Sequence, residues 1–220
     1  MKGLIITFLF LGFQSRGFAD TPMTLVALGD STTAGTPAFF SPAERPPNGY
    51  GNPESQYAHW ITQRHPDWKV INRGIAGQRS DQILARFDSE ALRFKPQVLI
   101  VLAGVNDIYQ GYSTDSLKEN LKKIYDRALN QNMKVLVCTI LPFNSAGPEM
   151  PGKIREVNHW IKSYAEQHNL GFCDTYTATE DPAARGNLIG SPDGLHPDIP
   201  TYRKMGEAIT FSLEKMIGNG

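Results

Sequence analysis

Short apolar runs alternate with amphipathic stretches along most of the chain. The runs are rich in Val, Ile and Leu, a pattern typical of strands that are buried on both faces of a parallel sheet. They predict five strands, at 24–28, 69–72, 97–102, 134–140 and 170–174.

Between the runs, apolar residues recur at the spacing of one helix face. One such stripe follows a helix-start signal at Thr114 and Asp115. The stripes comprise Leu117, Leu121, Ile124 and Ala128, then Ile154, Val157, Ile161 and Ala165, and finally Met205, Ile209, Leu213 and Met216. Strands alternating with helices predict an α/β fold, a three-layer α/β/α domain with a mainly parallel five-stranded sheet and right-handed crossovers.

The N-terminus has the pattern of a targeting segment. Lys2 precedes an apolar run at 4–13, and small residues follow at the positions that a signal peptidase prefers, ending at Ala19. We therefore expect a signal peptide over 1–19, export to the periplasm or the medium, and one domain over 20–220. The run is short for a membrane span. No Cys stands at the cleavage site, so no stable membrane anchor is expected.

Composition is that of a globular protein. The 220 residues are 40% hydrophobic and 20% charged, with 22 basic and 22 acidic residues. The chain lacks the excess of basic residues that would indicate nucleic-acid binding. The two cysteines, Cys138 and Cys173, fall in predicted strands, where free buried thiols are expected; a disulfide between them is the alternative that export leaves open.

A Pro-rich segment at 36–55 interrupts the alternation and carries three aromatic residues, Phe39, Phe40 and Tyr50. Ligands of open α/β sheets bind outside the carboxyl ends of the strands. Because this segment follows the first strand, we expect it to form a pocket wall, with the three rings lining an acyl or alcohol pocket. A surface excursion is the alternative.

Loops near the predicted strand ends carry the parts of a nucleophilic hydrolase. Ser31 follows the first strand, and Asp193 and His196 precede the last helix. A serine hydroxyl attacks well only when a base takes its proton. His196 is the candidate base and Asp193 the group that orients its ring.

Such chemistry also needs hydrogen-bond donors for an oxyanion. The candidates are the Ser31 N–H, a glycine N–H in the 72–77 loop and the Asn106 side chain. Asp30 and Asp107 are interpreted as hydrogen-bonding scaffolds of their loops. Arg73 is expected at the surface, with a contact to substrate as the alternative.

Together these segments resemble the four sequence blocks of the SGNH (GDSL-type) hydrolase superfamily, in order and over nearly the whole mature chain. The resemblance implies a flavodoxin-like fold, a triad of Ser31, Asp193 and His196, and oxyanion donors at Ser31, Gly77 and Asn106. It implies no metal and no organic cofactor. Asn72 and Gly77 match the second block, which favours Gly77 over Gly74 as the donor.

The substrate stays open at this point. The first block has Thr32 where many members have Leu, while the third block resembles esterase and lysophospholipase-like members. We expect short-chain carboxylic esters of small molecules, glycans or lipids. Carbohydrate O-acetylesterase and lysophospholipase/thioesterase activities are alternatives. A metal-dependent phosphoesterase using Asp30, Asp107, Asp193 and His196, or an inactive glycan-binding module, is disfavoured.

Overall fold

The computed structural model describes residues 22–144 and 147–218. The predicted signal peptide at 1–19 and its cleavage site after Ala19 lie outside these residues. The described strands are β1 (Thr24–Gly29), β2 (Phe39–Phe40), β3 (Tyr50–Gly51), β4 (Lys69–Gly74), β5 (Val98–Leu102), β6 (Lys134–Cys138) and β7 (Gly171–Cys173).

Helices connect the strands. They are α1 (Ser31–Ala34), α2 (Tyr57–Arg64), α3 (Ser80–Ala85), α4 (Phe87–Glu90), α5 (Val105–Tyr109), α6 (Thr114–Asn130), α7 (Met150–His168), α8 (Thr175–Thr179) and α9 (Ile199–Gly218). Two short 3₁₀ helices lie at Pro53–Ser55 and Leu92–Phe94.

The main sheet has the strand order β4-β1-β5-β6-β7, and all of its neighbouring strands are parallel. This is the order of flavodoxin-like folds. All five predicted strands are confirmed, with ends that differ by at most two residues from those expected. The predicted α/β class and the parallel five-stranded sheet are confirmed as well.

The two faces of the sheet bury different helices because successive strand residues point to opposite sides. On β1, Val26 and Leu28 pack in the core beneath α3, α4, α6 and α7. Leu25 and Ala27 face the core beneath α2 and α9. The three apolar stripes expected on helices are largely buried in these two cores.

Local details differ from the sequence prediction. The helix expected to begin at Thr114 is capped by Ser113, whose hydroxyl accepts a hydrogen bond from the Asp115 N–H.

Cys138 and Cys173 lie opposite each other on β6 and β7 as free buried thiols, as expected. Among the described residues, none of the helices combines the length and apolarity that a membrane crossing needs.

The Pro-rich segment forms a small antiparallel hairpin of β2 and β3. Gly51 has a φ of 114°, and a Cβ there would lie 2.3 Å from the Ala38 carbonyl oxygen, so a side chain would strain the hairpin. The Ser41 hydroxyl donates to the Gly74 carbonyl, and Glu44 accepts from the Ala76 N–H. The segment is thereby fixed to the loop that follows β4.

Candidate active site

The sequence-predicted triad and oxyanion residues gather beyond the carboxyl edge of the sheet. Ser31 follows β1, Gly77 follows β4 and Asn106 follows β5. Asp193 and His196 lie on the loop before α9. In this topology the chain order runs outward from β1 in both directions. Open α/β sheets usually bind ligands beyond the carboxyl ends of the strands at such a point.

Ser31 occupies the first turn of α1. Asp30, not Ser31, caps this helix: its Oδ1 accepts from the Thr32 N–H at 3.0 Å and from the Thr32 hydroxyl at 2.8 Å. The first backbone N–H groups of a helix have no partner within the helix. The strand-to-helix turn therefore presents both the Ser31 hydroxyl and its N–H at the sheet edge.

A continuous chain of hydrogen bonds links the three triad candidates. His196 Nε2 lies 2.9 Å from Ser31 Oγ, and His196 Nδ1 lies 2.6 Å from Asp193 Oδ2. The other oxygen of Asp193 accepts from the backbone N–H groups of His196 and Leu195. The structure brings the hydroxyl, the imidazole and the carboxylate together across 165 residues of sequence.

These hydrogen bonds also set the charge of Asp193. Partial burial alone would raise the pKa of this carboxyl, but donors from the His196 ring and from the His196 and Leu195 backbone lower it to about 2. Asp193 is therefore ionised across the neutral range, as a group that stabilises an imidazolium must be.

The loop that carries Asp193 and His196 is anchored by a residue that the sequence reasoning missed. The Asn144 N–H donates to the Gly194 carbonyl at 2.6 Å. The Asn144 amide also pairs with both backbone groups of Leu188, accepting at 2.6 Å and donating at 3.2 Å. No local pattern marks Asn144, because its partners lie 44 and 50 residues further along the chain.

The candidate oxyanion donors lie on the two strand-end loops beside Ser31. Gly77 has a φ of 75°, and its N–H donates to no other described residue. Asn106 is buried at the start of α5, and its Nδ2 donates to the Gln78 carbonyl at 3.0 Å. Asn72, which matched the second block, bonds across to Thr33 at 2.8 Å and so ties this loop to α1.

Two buried carboxyls support these loops. Asp107 accepts from the N–H and the hydroxyl of Ser80, while burial raises its pKa. Asp30 is fully buried, which raises its pKa to about 6, and its Oδ2 has no hydrogen-bond partner among the described residues. Within the same residues, no three His, Cys, Asp or Glu side chains are arranged to hold a metal ion.

Arg73 corrects an expectation. We expected this residue at the surface, but its side chain is only 7% exposed and pairs with Glu90. Its guanidinium lies over the Phe94 ring, 5.4 Å from the centroid. The side chain is buried because Glu90, in α4, and Phe94, in the 3₁₀ helix that follows, both contact its guanidinium.

The three aromatic residues of the Pro-rich segment have different surroundings. Phe39 is buried under the hairpin glycines, where its ring would collide with a Cβ at Gly49. Phe40 is 42% and Tyr50 73% exposed, and Arg45 lies over the Phe40 ring. Their place in a substrate pocket stays a prediction.

A small apolar cavity of about 10 Å³ lies between the strand-end loops next to Ser31. Asp30 and Thr32, the residues on either side of the serine, contribute to its wall. The other residues that line it are Leu102, Ala103, Val105, Ile140, Leu141, Pro142 and Leu195.

The sequence of the chain matches a protein-family model and several known proteins. The family model described as GDSL-like lipase/acylhydrolase matches residues 27–204. A lipoprotein of Bacillus subtilis, YqeF, is 28% identical over 64% of this chain, and the match spans 58% of that protein's own length. An acetylxylan esterase of Geobacillus stearothermophilus is 27% identical over 64% of this chain and 69% of its own length.

A solved structure agrees on the fold. The crystal structure of a GDSL-like lipase from Bacteroides thetaiotaomicron superposes with a TM-score of 0.72 at 23% identity, over 88% of this chain and 89% of that one. At this identity the likeness concerns the arrangement of strands and helices.

Proposed function

The chain belongs to the GDSL-like lipase/acylhydrolase family, and from this we propose that it is a serine ester hydrolase that acts through an acyl-enzyme on short-chain carboxylic esters. The observation that carries the proposal is the hydrogen-bonded series from Ser31 Oγ through His196 to Asp193, with distances of 2.9 and 2.6 Å.

The first half-reaction forms the acyl-enzyme. Ser31 Oγ attacks the ester carbonyl carbon while its proton passes to His196 Nε2, and the carbonyl oxygen takes the electron pair of the broken π bond. The Asp193 carboxylate stabilises the imidazolium through Nδ1. When the intermediate collapses, His196 gives the proton to the departing alkoxide oxygen, and the alcohol leaves.

The second half-reaction repeats these steps with water. His196 removes a proton from water as its oxygen attacks the acyl carbon, and then returns a proton to Ser31 Oγ as the acid leaves. In both halves we assign the N–H groups of Ser31 and Gly77 and the Asn106 amide to the oxyanion. The Gly77 N–H is unpartnered among the described residues, which suits a donor held ready for substrate.

The size of the cavity beside Ser31 supports a short acyl group. A volume of about 10 Å³ is close to that of one water-sized sphere, and its lining is mainly apolar. A long acyl chain would enter this space only if several of the lining side chains moved.

A carbohydrate O-acetylesterase is the more specific second candidate. Acetyl is one of the short acyl groups proposed above, and one of the family relatives is an acetylxylan esterase. A lysophospholipase or thioesterase would need room for a longer chain along the same wall.

Export belongs to the same proposal. A signal peptide at 1–19 would be removed, and residues 20–220 would form one hydrolase domain that acts in the periplasm or the medium. The proposal rests on the charged, apolar and small-residue regions of the N-terminus.

Hydrolysis of 4-nitrophenyl acetate by the purified protein tests the proposed activity. Ser31→Ala is expected to lower kcat by about 10³-fold or more, since triad members act as a unit. Ser89→Ala, which alters an exposed serine, is the matched control and keeps the wild-type rate. Wild-type activity in Ser31→Ala would refute the proposal.

A series of 4-nitrophenyl esters then tests the acyl preference. We expect kcat/KM to be highest for acetate or propionate and to fall steeply towards octanoate. A maximum at octanoate would contradict the short-acyl assignment while leaving the serine mechanism intact. Acetylated xylo-oligosaccharides, assayed by acetate release, separate the carbohydrate esterase from a general one.

A further inference from the structure

A second cleft lies between the Pro-rich segment and the outer edge of the sheet. Its volume is about 540 Å³, within the range of small-molecule sites. One wall is the hairpin loop with Pro42, Pro46 and Pro47, and the other is the strand β4 from Lys69 to Arg73. We call this space the β4 cleft.

The β4 cleft has an excess of positive charge. Lys69, Arg73 and Arg93 line it, and none of the described lining residues is Asp or Glu. Arg73 and Arg93 share one carboxylate, Glu90, which pairs with Arg73 and lies 3.8 Å from Arg93. Three cations therefore stand against one anion, and an anionic ligand would relieve their mutual repulsion.

Two of the three cations, Arg73 and Arg93, are held in place. Phe94 has both guanidinium groups beside its ring, at 5.4 Å for Arg73 and 4.5 Å for Arg93. Burial and the nearby Arg93 lower the pKa of Arg73 to about 10, so it stays charged at neutral pH. The Arg93 side chain is half exposed and already packs over Phe94, so its guanidinium loses less side-chain entropy when it binds a carboxylate.

The remaining lining suits a ring that carries hydroxyl groups. β4 is the outermost of the described strands, so alternate N–H and C=O groups on its free side have no strand partner among the described residues. Five consecutive residues of β4 line the cleft, which places its backbone there as well as its side chains. The prolines of the other wall offer flat apolar faces to a ligand ring.

From these features we infer that the β4 cleft binds a sugar acid, a hydroxylated ring bearing one carboxylate. The carboxylate meets Lys69 and Arg93, the hydroxyls bond to the free edge of β4, and the ring packs against Pro46 and Pro47. The β4 cleft is lined by the outer strand and the Pro-rich segment and by none of Ser31, Asp193 and His196, and it is a binding site in addition to the proposed ester-hydrolysing one.

Calorimetric titration of the purified protein with sodium glucuronate tests this inference. We expect glucuronate to bind at least about tenfold more tightly than glucose, which lacks the charge, or acetate, which lacks the ring; tenfold is the contribution of roughly one charge-assisted hydrogen bond. Equal affinity for glucose or for acetate would overturn the inference.

Variants locate the binding. Lys69→Gln with Arg93→Gln should weaken glucuronate binding by about tenfold or more, whereas Lys123→Gln with Arg127→Gln, an equal loss of exposed charge on α6, should leave it unchanged. The Ser31→Ala protein should bind as wild type does, which separates this site from the catalytic edge. Unchanged affinity in the first pair, with unfolding temperature as the check on folding, would refute the assignment.

Discussion

Asp30 and Ser31 are neighbours in the chain with opposite surroundings. Ser31 hydrogen-bonds to His196 at the sheet edge, while Asp30 is fully buried. One Asp30 oxygen accepts from Thr32, and the other has no hydrogen-bond partner within residues 22–144 and 147–218. The folded protein therefore carries the cost of a desolvated carboxylate next to the proposed nucleophile. The cost of this desolvated carboxylate depends on pH because only the ionised form of Asp30 carries a charge.

Asp30→Asn tests this pH dependence. Burial raises the pKa of Asp30 from 3.8 to about 6 in the folded state. Below pH 3.8 the buried carboxyl is neutral and the folded state keeps its full stability. That stability is lost as the pH rises through 6 and the buried carboxyl ionises. The difference corresponds to about 3 kcal/mol. Asn keeps the cap and does not ionise, so Asp30→Asn should gain stability over wild type between pH 4 and pH 8.

Denaturant unfolding at several pH values measures the effect of Asp30→Asn. Asp88→Asn, on the exposed surface of α4, is the matched control and should show no such trend. A stability difference between Asp30→Asn and wild type that is the same at pH 4 and pH 8 would contradict the account of Asp30.

Asn106→Ala tests the oxyanion assignment. Loss of one such donor lowers kcat by about 10²–10³-fold with little change in KM, because the interaction is made mainly in the transition state. Steady-state kinetics with 4-nitrophenyl acetate measures both constants. Asn130→Ala, which removes an exposed amide at the end of α6, is the control. Wild-type kcat in Asn106→Ala would exclude this residue as a donor.

At the level of elements, the site depends on how the loop before α9 is held against the sheet. The loop after β6 supplies Asn144, which bonds to Leu188 and Gly194. At its other end, Asp198 accepts from the Thr201 N–H at the start of α9. The loop that carries His196 is thus fixed on both sides of the triad residues.

Asn144→Ala should loosen this loop. We expect kcat to fall by about tenfold, since small misplacements of a catalytic group are costly, while KM changes little. Asn144→Asp keeps the acceptor for the Leu188 N–H and should recover part of the loss. Steady-state kinetics measures kcat and KM of each variant, and the unfolding temperature serves as the control for folding. A lower unfolding temperature with unchanged kcat would show that Asn144 has a structural role only. Asn187→Ala, on the exposed part of the loop, should behave as wild type.

Elements were predictable where the chain has a strong local pattern. The buried strands and the helix face of Leu117 and Leu121 follow from hydrophobic periodicity. Long-range contacts were not predictable: Asn144 acts through residues far along the chain, and Arg73 is buried because of Glu90 and Phe94. The triad candidates were found because their residue types and order are distinctive, even though each fragment alone is common.

At the level of the whole molecule, the topology explains why so few residues suffice for the site. Parallel strands end at one edge, so the loops after β1, β4 and β5 meet without any long connection. The family match over 27–204 covers all of these loops. The residues before it contain the proposed signal peptide.

Expression of the full chain in a bacterial host tests the proposed export. We expect a protein recovered outside the cytoplasm whose first residue is Asp20, because the small residues before it suit a signal peptidase. N-terminal sequencing and intact mass measure this. Recovery of a chain that retains 1–19 would contradict the proposal without bearing on the esterase activity.

Covalent labelling of the protein with a fluorophosphonate is the most direct test of the central claim that Ser31 is an activated nucleophile. Peptide mass mapping should find one label per chain, on Ser31, with hydrolysis lost in proportion to labelling; His196→Ala should label far more slowly. Full labelling at another residue, or undiminished ester hydrolysis after Ser31 is labelled, would contradict it.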